Sequence, residues 1–370
     1  MEVREIDAGA NYEMVLLGSE PSAGYRGIIS IHSTVLGPAL GGTRLWSYSN
    51  DEAAITDALR LSRGMTYKNA LASVPFGGGK SVIMVNGRAI DREKLFRAHG
   101  RFVEMFKGRY ITAEDVGTGT ADMDLVHQET NHVAGLTDRS GDPSPVTARG
   151  VFRAIQACAM FLWGSSDLSG RRVAIQGCGH VGYNLARELN EAGARLIASD
   201  INPDRLKMVV RDFDAQAVEA DEIFGVTADI FAPCGLGGII NDDTIPGLKV
   251  SIVAGAANNQ LLEERHGDEL KAKDILYAPD YVANAGGVIN GCRELLGADQ
   301  TETSLKVEAI FDTTLRVLRI AESKNIPTYK AADQLAEEQL LKSRGQRLDF
   351  RCSYTVNKIL WVFPTALAVI

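Results

Sequence analysis

Two lysines in the first quarter of the chain, Lys68 and Lys80, stand twelve residues apart, and the second directly follows three glycines. Glycine lets the backbone approach another group closely and adopt dihedral angles that other residues avoid. Two ammonium groups facing one cleft repel each other, so we expect one of them to release its proton near neutral pH unless an anion lies between them. Such a pair would suit an enzyme in which one lysine binds a small carboxylate and the other transfers protons. Most lysines simply extend into water, so the rest of the chain must decide between these interpretations.

The segments around the lysines predict a mixed α/β region. Its predicted strands are residues 27–32, 44–48, 81–85 and 109–113. Ser49 and Glu52 form a capping-box signature, which predicts a helix that begins there and ends close to Lys68. Lys80 immediately precedes the third strand, and Asp115 stands at the C-terminal end of the fourth.

The rest of the chain alternates predicted strands and helices, which is typical of a parallel sheet covered on both faces. The predicted strands are residues 172–176, 195–199, 230–232, 250–254 and 275–278. A loop rich in Gly, Ser, Asp and Pro at 138–145 marks a domain boundary. The sequence therefore predicts an α/β protein with an N-terminal mixed α/β domain and a doubly wound parallel-sheet domain of the Rossmann type. The first comprises residues 1–145 and a C-terminal return at about 330–370, and the second comprises residues 146–329.

Composition and charge exclude several classes of function. The net charge of −8 and the isoelectric point near 5.4 argue against nucleic-acid binding through a broad basic surface. We see no signal peptide and no apolar run as long as a membrane span. The five cysteines are widely spaced and show no metal-ligand pattern. We expect a cytoplasmic protein without a structural metal, a membrane partner or a nucleic-acid partner.

A dinucleotide-binding fingerprint opens the second domain. The β-branched segment 173–176 runs into Gly177, Gly179 and Gly182, which have the spacing Gly-x-Gly-x-x-Gly, and a predicted helix follows. Asp200 ends the next strand, where its carboxylate could bind both ribose hydroxyls and would repel a 2′-phosphate. The two residues after it supply no arginine, so we predict NAD rather than NADP. The predicted cofactor-binding residues of this segment are Gly177, Cys178, Gly179, His180, Val181, Gly182 and Asp200.

Eight motifs, in order along the chain, resemble the family of amino-acid dehydrogenases that act on glutamate, leucine, phenylalanine and valine. They are residues 37–44, 64–70, 77–80, 112–118, 145–147, 232–234, 255–260 and 278–287. The resemblance covers roughly residues 10–340 and is greatest to the leucine dehydrogenases. It implies oxidative deamination of an L-amino acid to its 2-oxo acid, with reduction of NAD and release of ammonia.

The resemblance also implies roles for individual residues. Lys68 would bind the substrate carboxylate, Lys80 would be the general base that activates water, and Asp115 would hold the substrate amine. Three more residues would contact the cofactor or the substrate: Thr147, Asn258 and Asn284. A catalytically silent, regulatory NAD-binding protein is a distant alternative, which the presence of all three reactive groups disfavours.

The predicted side-chain pocket is apolar. By family match its residues are Leu40, Gly41, Met65, Ala113, Val288 and Gly291. Glutamate dehydrogenases have a lysine in place of Leu40, so glutamate should be a poor substrate. Leucine dehydrogenases tend to have a valine in place of Gly291, so an enlarged pocket and an aromatic substrate are an alternative. We expect leucine as the preferred substrate, with valine and isoleucine as secondary ones.

The resemblance further implies a symmetric homo-oligomer, often an octamer in this family, formed through the N-terminal substrate-binding domain. The end of the chain departs from the family pattern. After about residue 346 it is apolar, whereas relatives usually end in polar residues. It could pack in a subunit interface or be loosely ordered.

Overall fold

The computed structural model describes residues 1–85, 90–139 and 142–353. The apolar tail lies outside the described residues from position 354 onward. The chain forms two domains, one around a mixed sheet and one around a parallel sheet, which confirms the predicted fold class.

Within its described residues, the N-terminal domain contains a seven-stranded sheet and three α-helices. Its elements are β1 (Glu2–Glu5), β2 (Met14–Glu20), β3 (Tyr25–Ser33), β4 (Ala39–Leu40), β5 (Thr43–Trp46), α1 (Asp51–Leu71), β6 (Gly77–Met84), α2 (Arg92–Glu104), β7 (Tyr110–Ile111) and α3 (Thr120–His127), with a 3-10 helix at Pro21–Ala23. The strand order is β1-β2-β3-β6-β4-β7, and β5 also pairs with β6. The pairs β1-β2, β2-β3 and β3-β6 are antiparallel, whereas β4 and β5 pair in parallel with β6, and β7 pairs in parallel with β4.

Strand β6 is the centre of this domain and is buried along its whole length. A Cβ atom on Gly78 would lie 2.1 Å from the backbone nitrogen of Thr66 on α1, and one on Gly79 would lie 2.8 Å from the ring of Tyr110. The glycines before Lys80 therefore let α1 and β7 pack against the strand. The close approach predicted for these glycines is thus made by the protein's own elements.

Helix α1 begins one residue later than the capping signature suggested. The N-cap is Asn50, whose side chain accepts a hydrogen bond from the backbone N–H of Ala53 at 2.8 Å. An Asn side chain caps a helix as well as a Ser hydroxyl does, so either residue fits the local pattern. The helix ends at Leu71, and Lys68 lies in its last turn, as predicted.

The C-terminal part forms a second, entirely parallel sheet with helices around it. Its elements are α4 (Ser144–Trp163), β8 (Arg172–Gln176), α5 (His180–Glu191), β9 (Arg195–Ser199), α6 (Pro203–Phe213), β10 (Gln216–Ala217), β11 (Ile230–Pro233), β12 (Ile252–Val253), α7 (Arg265–Ala272), β13 (Leu276–Tyr277), α8 (Asp280–Ala283), α9 (Gly286–Leu296), α10 (Gln300–Glu308), α11 (Ile310–Lys324) and α12 (Thr328–Ser353), with 3-10 helices at Glu222–Gly225 and Ile245–Gly247.

The strand order of this sheet is β10-β9-β8-β11-β12-β13, the doubly wound order of a Rossmann domain. The order reverses between β8 and β11, and in such sheets ligands bind in the crevice at the carboxyl ends of those strands. Helix α12 returns to the first domain, where Leu335 and Ala336 pack in one cluster with Tyr67 and Leu71 of α1. None of the described helices is long and apolar enough to cross a lipid bilayer.

Candidate active site

A cavity of about 390 Å³ lies between the two domains. Its walls come from α1, from the carboxyl ends of strands in the first sheet, and from α4, α8 and α9 of the second domain. The predicted site residues that line it are Leu40, Gly41, Met65, Lys68, Lys80, Ala113, Asp115, Thr147, Val181, Asn258, Asn284, Val288 and Gly291. Residues predicted from separate motifs are thus brought together in one cleft.

Lys80 and Asp115 form a direct ion pair at the base of this cleft. The Nζ atom of Lys80, which is only 4% exposed on β6, lies 3.0 Å from Oδ2 of Asp115. The same oxygen accepts a hydrogen bond from Nε of Arg44 at 3.1 Å. Burial would raise the pKa of Asp115, but the charges of Lys80 and Arg44 outweigh it and lower this pKa to about 2. The carboxylate is therefore ionised at all physiological pH values.

Lys68 lies across the cleft from this pair and reaches the second domain. Its Nζ donates a hydrogen bond to Oδ1 of Asn258 at 3.1 Å. Burial lowers the pKa of Lys68 to about 8, the charge of Asp280 opposes this shift, and the charge of Lys80 adds to it. Burial, more than the charge of the second lysine, therefore moves the proton equilibrium of Lys68 toward neutral pH.

Asp280, at the start of α8, is a residue that the sequence analysis quoted within a motif but did not single out. Its Oδ2 accepts the backbone N–H of Asn259 at 2.5 Å, and its Oδ1 accepts the hydroxyl of Tyr277 at 3.2 Å. Burial raises the pKa of Asp280, and the charge of Lys68 opposes that shift. Arg44 was likewise quoted only within a motif, although it fixes the position of Asp115.

The side chains of Asn258 and Asn284 form a hydrogen bond with each other beside the parallel sheet. The side-chain amide of Asn284 donates to Oδ1 of Asn258 at 2.8 Å and to the carbonyl of Ala256 at 3.0 Å. Oδ1 of Asn258 therefore accepts from both Lys68 and Asn284. This chain of hydrogen bonds links α1 of the first domain to the parallel sheet of the second domain.

Thr147 lies in the first turn of α4, where its hydroxyl donates to the carbonyl of Pro143 at 2.9 Å. A Cβ atom on Gly287 would lie 3.1 Å from this hydroxyl oxygen, so α4 and α9 approach closely here. The close packing fixes Thr147 at the cleft wall.

The glycine fingerprint has three distinct roles in the structure. Gly177 has a φ of +96°, which favours glycine, and a Cβ on Gly182 would lie 2.0 Å from the carbonyl oxygen of Gly177. A Cβ on Gly179, in contrast, would meet only the guanidinium of Arg205, at 4.0 Å. The first and third glycines are therefore required by the turn and by its packing, and the middle one faces open space at the N-terminus of α5.

Asp200 is held by backbone amides beside this turn. Its Oδ2 accepts the N–H of Cys178 at 2.6 Å, and its Oδ1 accepts the N–H of Asn202 at 2.7 Å. The side chain of Cys178 is buried, with Sγ 3.7 Å from the carbonyl of Ser199, so only its backbone borders the crevice. The imidazole of His180 is exposed, and its Nδ1 lies 3.7 Å from a carboxylate oxygen of Asp142.

The apolar end of the cavity has room beside α9. A Cβ on Gly291 would have no atom within 4 Å, and Leu40, with only 4% of its surface exposed, lines the same cavity. Glu114 also lines this cavity, and burial together with the charge of Asp142 raises the pKa of this carboxyl group.

One cluster outside the cleft contains residue types that can bind metals. Ligand atoms of Asp242, His266 and Glu269 lie within 4.8 Å of one another. However, Arg265 donates to Asp242 at 2.6 and 2.7 Å and to Glu269 at 2.7 Å. A guanidinium already neutralises these carboxylates.

Two family models match the chain. The "Glu/Leu/Phe/Val dehydrogenase, dimerisation domain" matches residues 18–132, and the "Glutamate/Leucine/Phenylalanine/Valine dehydrogenase" model matches residues 139–203 and 200–347. A leucine dehydrogenase of Geobacillus stearothermophilus is 52% identical over 343 residues, which are 92% of this chain and 94% of that protein. A phenylalanine dehydrogenase of Caldalkalibacillus thermarum is 45% identical over 350 residues, which are 92% of this chain and 95% of that one.

A solved structure shows the same fold. The crystal structure of L-tryptophan dehydrogenase from Nostoc punctiforme is 46% identical, with a TM-score of 0.80, and the match covers 90% of this chain and 97% of that one. The resemblance stated from the sequence motifs is thereby confirmed. The chain belongs to the Glu/Leu/Phe/Val family of amino-acid dehydrogenases.

Proposed function

We propose that the protein catalyses the reversible, NAD-dependent oxidative deamination of a branched-chain L-amino acid to its 2-oxo acid and ammonia. Leucine is the preferred substrate, and valine and isoleucine are secondary ones. The observation that supports this proposal most strongly is the convergence of Lys68, Lys80 and Asp115 on one cleft between the domains.

The nucleotide crevice fits a dinucleotide. The space beside the Cα of Gly179 is open, whereas Gly177 and Gly182 are closely packed. The turn therefore leaves room for a pyrophosphate at the N-terminus of α5. Asp200 would hold the ribose hydroxyls, and Thr147, Asn258 and Asn284 would contact the nicotinamide end. Bound NAD would supply the chemistry of accepting a hydride from the substrate Cα and returning it in the reverse reaction.

Each reactive side chain has a task that its surroundings favour. Lys68 binds the substrate carboxylate, because an anion beside it stabilises the ammonium that burial disfavours. Asp115 is ionised and can accept hydrogen bonds from the substrate amine. Lys80 would act as general base toward the attacking water in its neutral form, after its ammonium has released a proton, and the carboxylate of Asp115, 3.0 Å from its Nζ, can receive that proton and pass it on. The cleft excludes bulk water from this chemistry when a substrate fills it.

The pocket residues argue for an apolar substrate side chain. Leu40, Met65, Ala113 and Val288 offer no cation to pair with a second carboxylate of the substrate. Burying an unpaired carboxylate costs several kcal/mol, roughly, so glutamate is disfavoured. An aliphatic side chain of leucine size suits these walls.

A second candidate is an aromatic amino-acid dehydrogenase, because the space beside Gly291 is open. A solved relative acts on L-tryptophan and another relative on phenylalanine, according to their names. Rates of NADH formation across leucine, valine, isoleucine, phenylalanine, tryptophan and glutamate separate the two candidates. Highest kcat/KM for leucine supports the first, highest kcat/KM for an aromatic substrate supports the second, and no NADH with any of them refutes both.

We also propose that the chain divides into one domain of residues 1–145 with a C-terminal return at about 330–370, and a second domain of residues 146–329. The first would bind the substrate and form a homo-oligomer, since the family model that matches residues 18–132 is described as a dimerisation domain. An octamer is the assembly we expect, and the cytoplasm is the expected compartment.

A further inference from the structure

Arg205 lies beside the fingerprint turn. It occupies the first turn of α6, where its backbone N–H donates to the side chain of Asn202 at 3.3 Å. Its side chain extends toward α5, and Nη1 lies 4.0 Å from the position that a Cβ would take on Gly179. A guanidinium therefore borders the open side of the turn.

This guanidinium is exposed and has no hydrogen bond or ion pair with any residue that the structure describes. Its acidic neighbours in sequence have other partners. Asp200 accepts the amides of Cys178 and Asn202, and Asp204 lies 3.4 Å from the ammonium of Lys207. Arg205 is thus a cation available to a ligand, and its planar fork can bind two phosphate oxygens at once.

The turn itself has a shortage of positive charge. Asp200 already uses the N–H of Cys178, so the first-turn amides of α5 are the remaining backbone donors for an anion. The carboxylates of Asp200 and Asp142 also border this crevice and oppose a pyrophosphate. A cation at the position of Arg205 would offset both effects.

We propose that Arg205 binds the pyrophosphate of the dinucleotide from α6 and complements the N-terminus of α5. This inference rests on the proposed use of a nicotinamide dinucleotide. The two residues after Asp200 include no arginine, but the fold brings the side chain of the fifth residue, Arg205, to the turn. The guanidinium of Arg205 lies beside Gly179 and makes no ion pair with Asp200. It is therefore better placed to bind the pyrophosphate than a 2′-phosphate on the ribose.

The test is a series of ligands measured on the wild type, on Arg205→Ala and on the control Lys207→Ala, a lysine of the same helix. Affinities are measured for NADH by its fluorescence, and for adenosine, ADP and 2′,5′-ADP by competition. We expect Arg205→Ala to lower the affinity for NADH and for ADP by about fivefold to tenfold, which is the loss expected for one charged hydrogen bond at the surface. Adenosine should bind as before, the salt dependence of ADP binding should decrease, and Lys207→Ala should match the wild type.

Three results would overturn the inference. If Arg205→Ala binds ADP and NADH as tightly as the wild type does, Arg205 does not contact the pyrophosphate. If the variant loses affinity for 2′,5′-ADP alone, Arg205 contacts the 2′-phosphate and not the pyrophosphate. Wild-type protein that binds no NADH would refute the cofactor assignment itself, which distinguishes that failure from the other two.

Discussion

At the scale of single residues, the account depends most on Lys80. Replacement by alanine removes the proposed general base, so we expect Lys80→Ala to lower kcat by about a hundredfold to ten-thousandfold. NADH should still bind, because Lys80 is part of the first sheet and not of the nucleotide crevice. Steady-state kinetics and an NADH titration measure the two effects. A turnover near that of the wild type would exclude Lys80 from the mechanism.

The pKa of Lys68 predicts how carboxylate binding depends on pH. Because this pKa is lowered to about 8, Lys68 is an ammonium below that pH and loses its proton above it. Affinity for 4-methylpentanoate, which has the carboxylate and side chain of leucine without its amine, should decrease as the pH rises through about 8. Inhibition constants across this range measure the effect, with NADH affinity as the control. A constant affinity would mean that Lys68 does not hold the carboxylate.

Gly291 determines how large a side chain the pocket accepts. Gly291→Val adds an isopropyl group in a space with no atom within 4 Å of the new Cβ, so the variant should fold normally. We expect it to lower kcat/KM for phenylalanine relative to leucine by about tenfold or more. The ratio of the two kcat/KM values is the measurement. An unchanged ratio would show that the substrate side chain does not reach α9.

At the scale of elements, the glycines of the fingerprint turn differ in what they contribute, because Gly182 is needed for packing and Gly179 borders the proposed binding site. Gly182→Ala forces a Cβ to within 2.0 Å of the carbonyl oxygen of Gly177, so we expect a loss of stability of about 1–3 kcal/mol. Gly179→Ala is the matched control, because its Cβ would meet only Arg205, at 4.0 Å. That variant should keep the Tm of the wild type and lose NADH affinity. Thermal unfolding and NADH titration of both variants check this, and equal Tm values for the two would contradict it.

The elements also show what sequence patterns can predict. Strands β8 and β9 match the predicted residues 172–176 and 195–199, and helix α5 follows the glycines as predicted, because the fingerprint ties these ends to glycines and to Asp200. The short strands β12 and β13 were predicted too long, since few of their residues actually pair. The sequence did not single out Arg44, Asp280 or the proposed contact Arg205, because their positions depend on neighbours distant in the chain, which local periodicity does not report.

At the scale of the whole molecule, the cleft exists only because the two domains face each other. The bond from Lys68 to Asn258 and the bond from the Gly135 amide to Glu294, at 2.9 Å, both join the domains. Family motifs in the sequence predicted which residues meet there, whereas the distances between them follow from the packing of α1, α8 and α9.

The proposed octamer would have a mass eight times that of the 39.9 kDa chain, and sedimentation equilibrium tests it. A monomer at micromolar concentration would refute the proposed assembly.

The most direct test of the whole account is the stoichiometry of products from L-leucine and NAD with the purified protein. The account predicts that NADH, 4-methyl-2-oxopentanoate and ammonium form in equal amounts, and that Lys80→Ala forms none of them at a comparable rate. Protein that binds NADH yet reduces no NAD with any L-amino acid would contradict it.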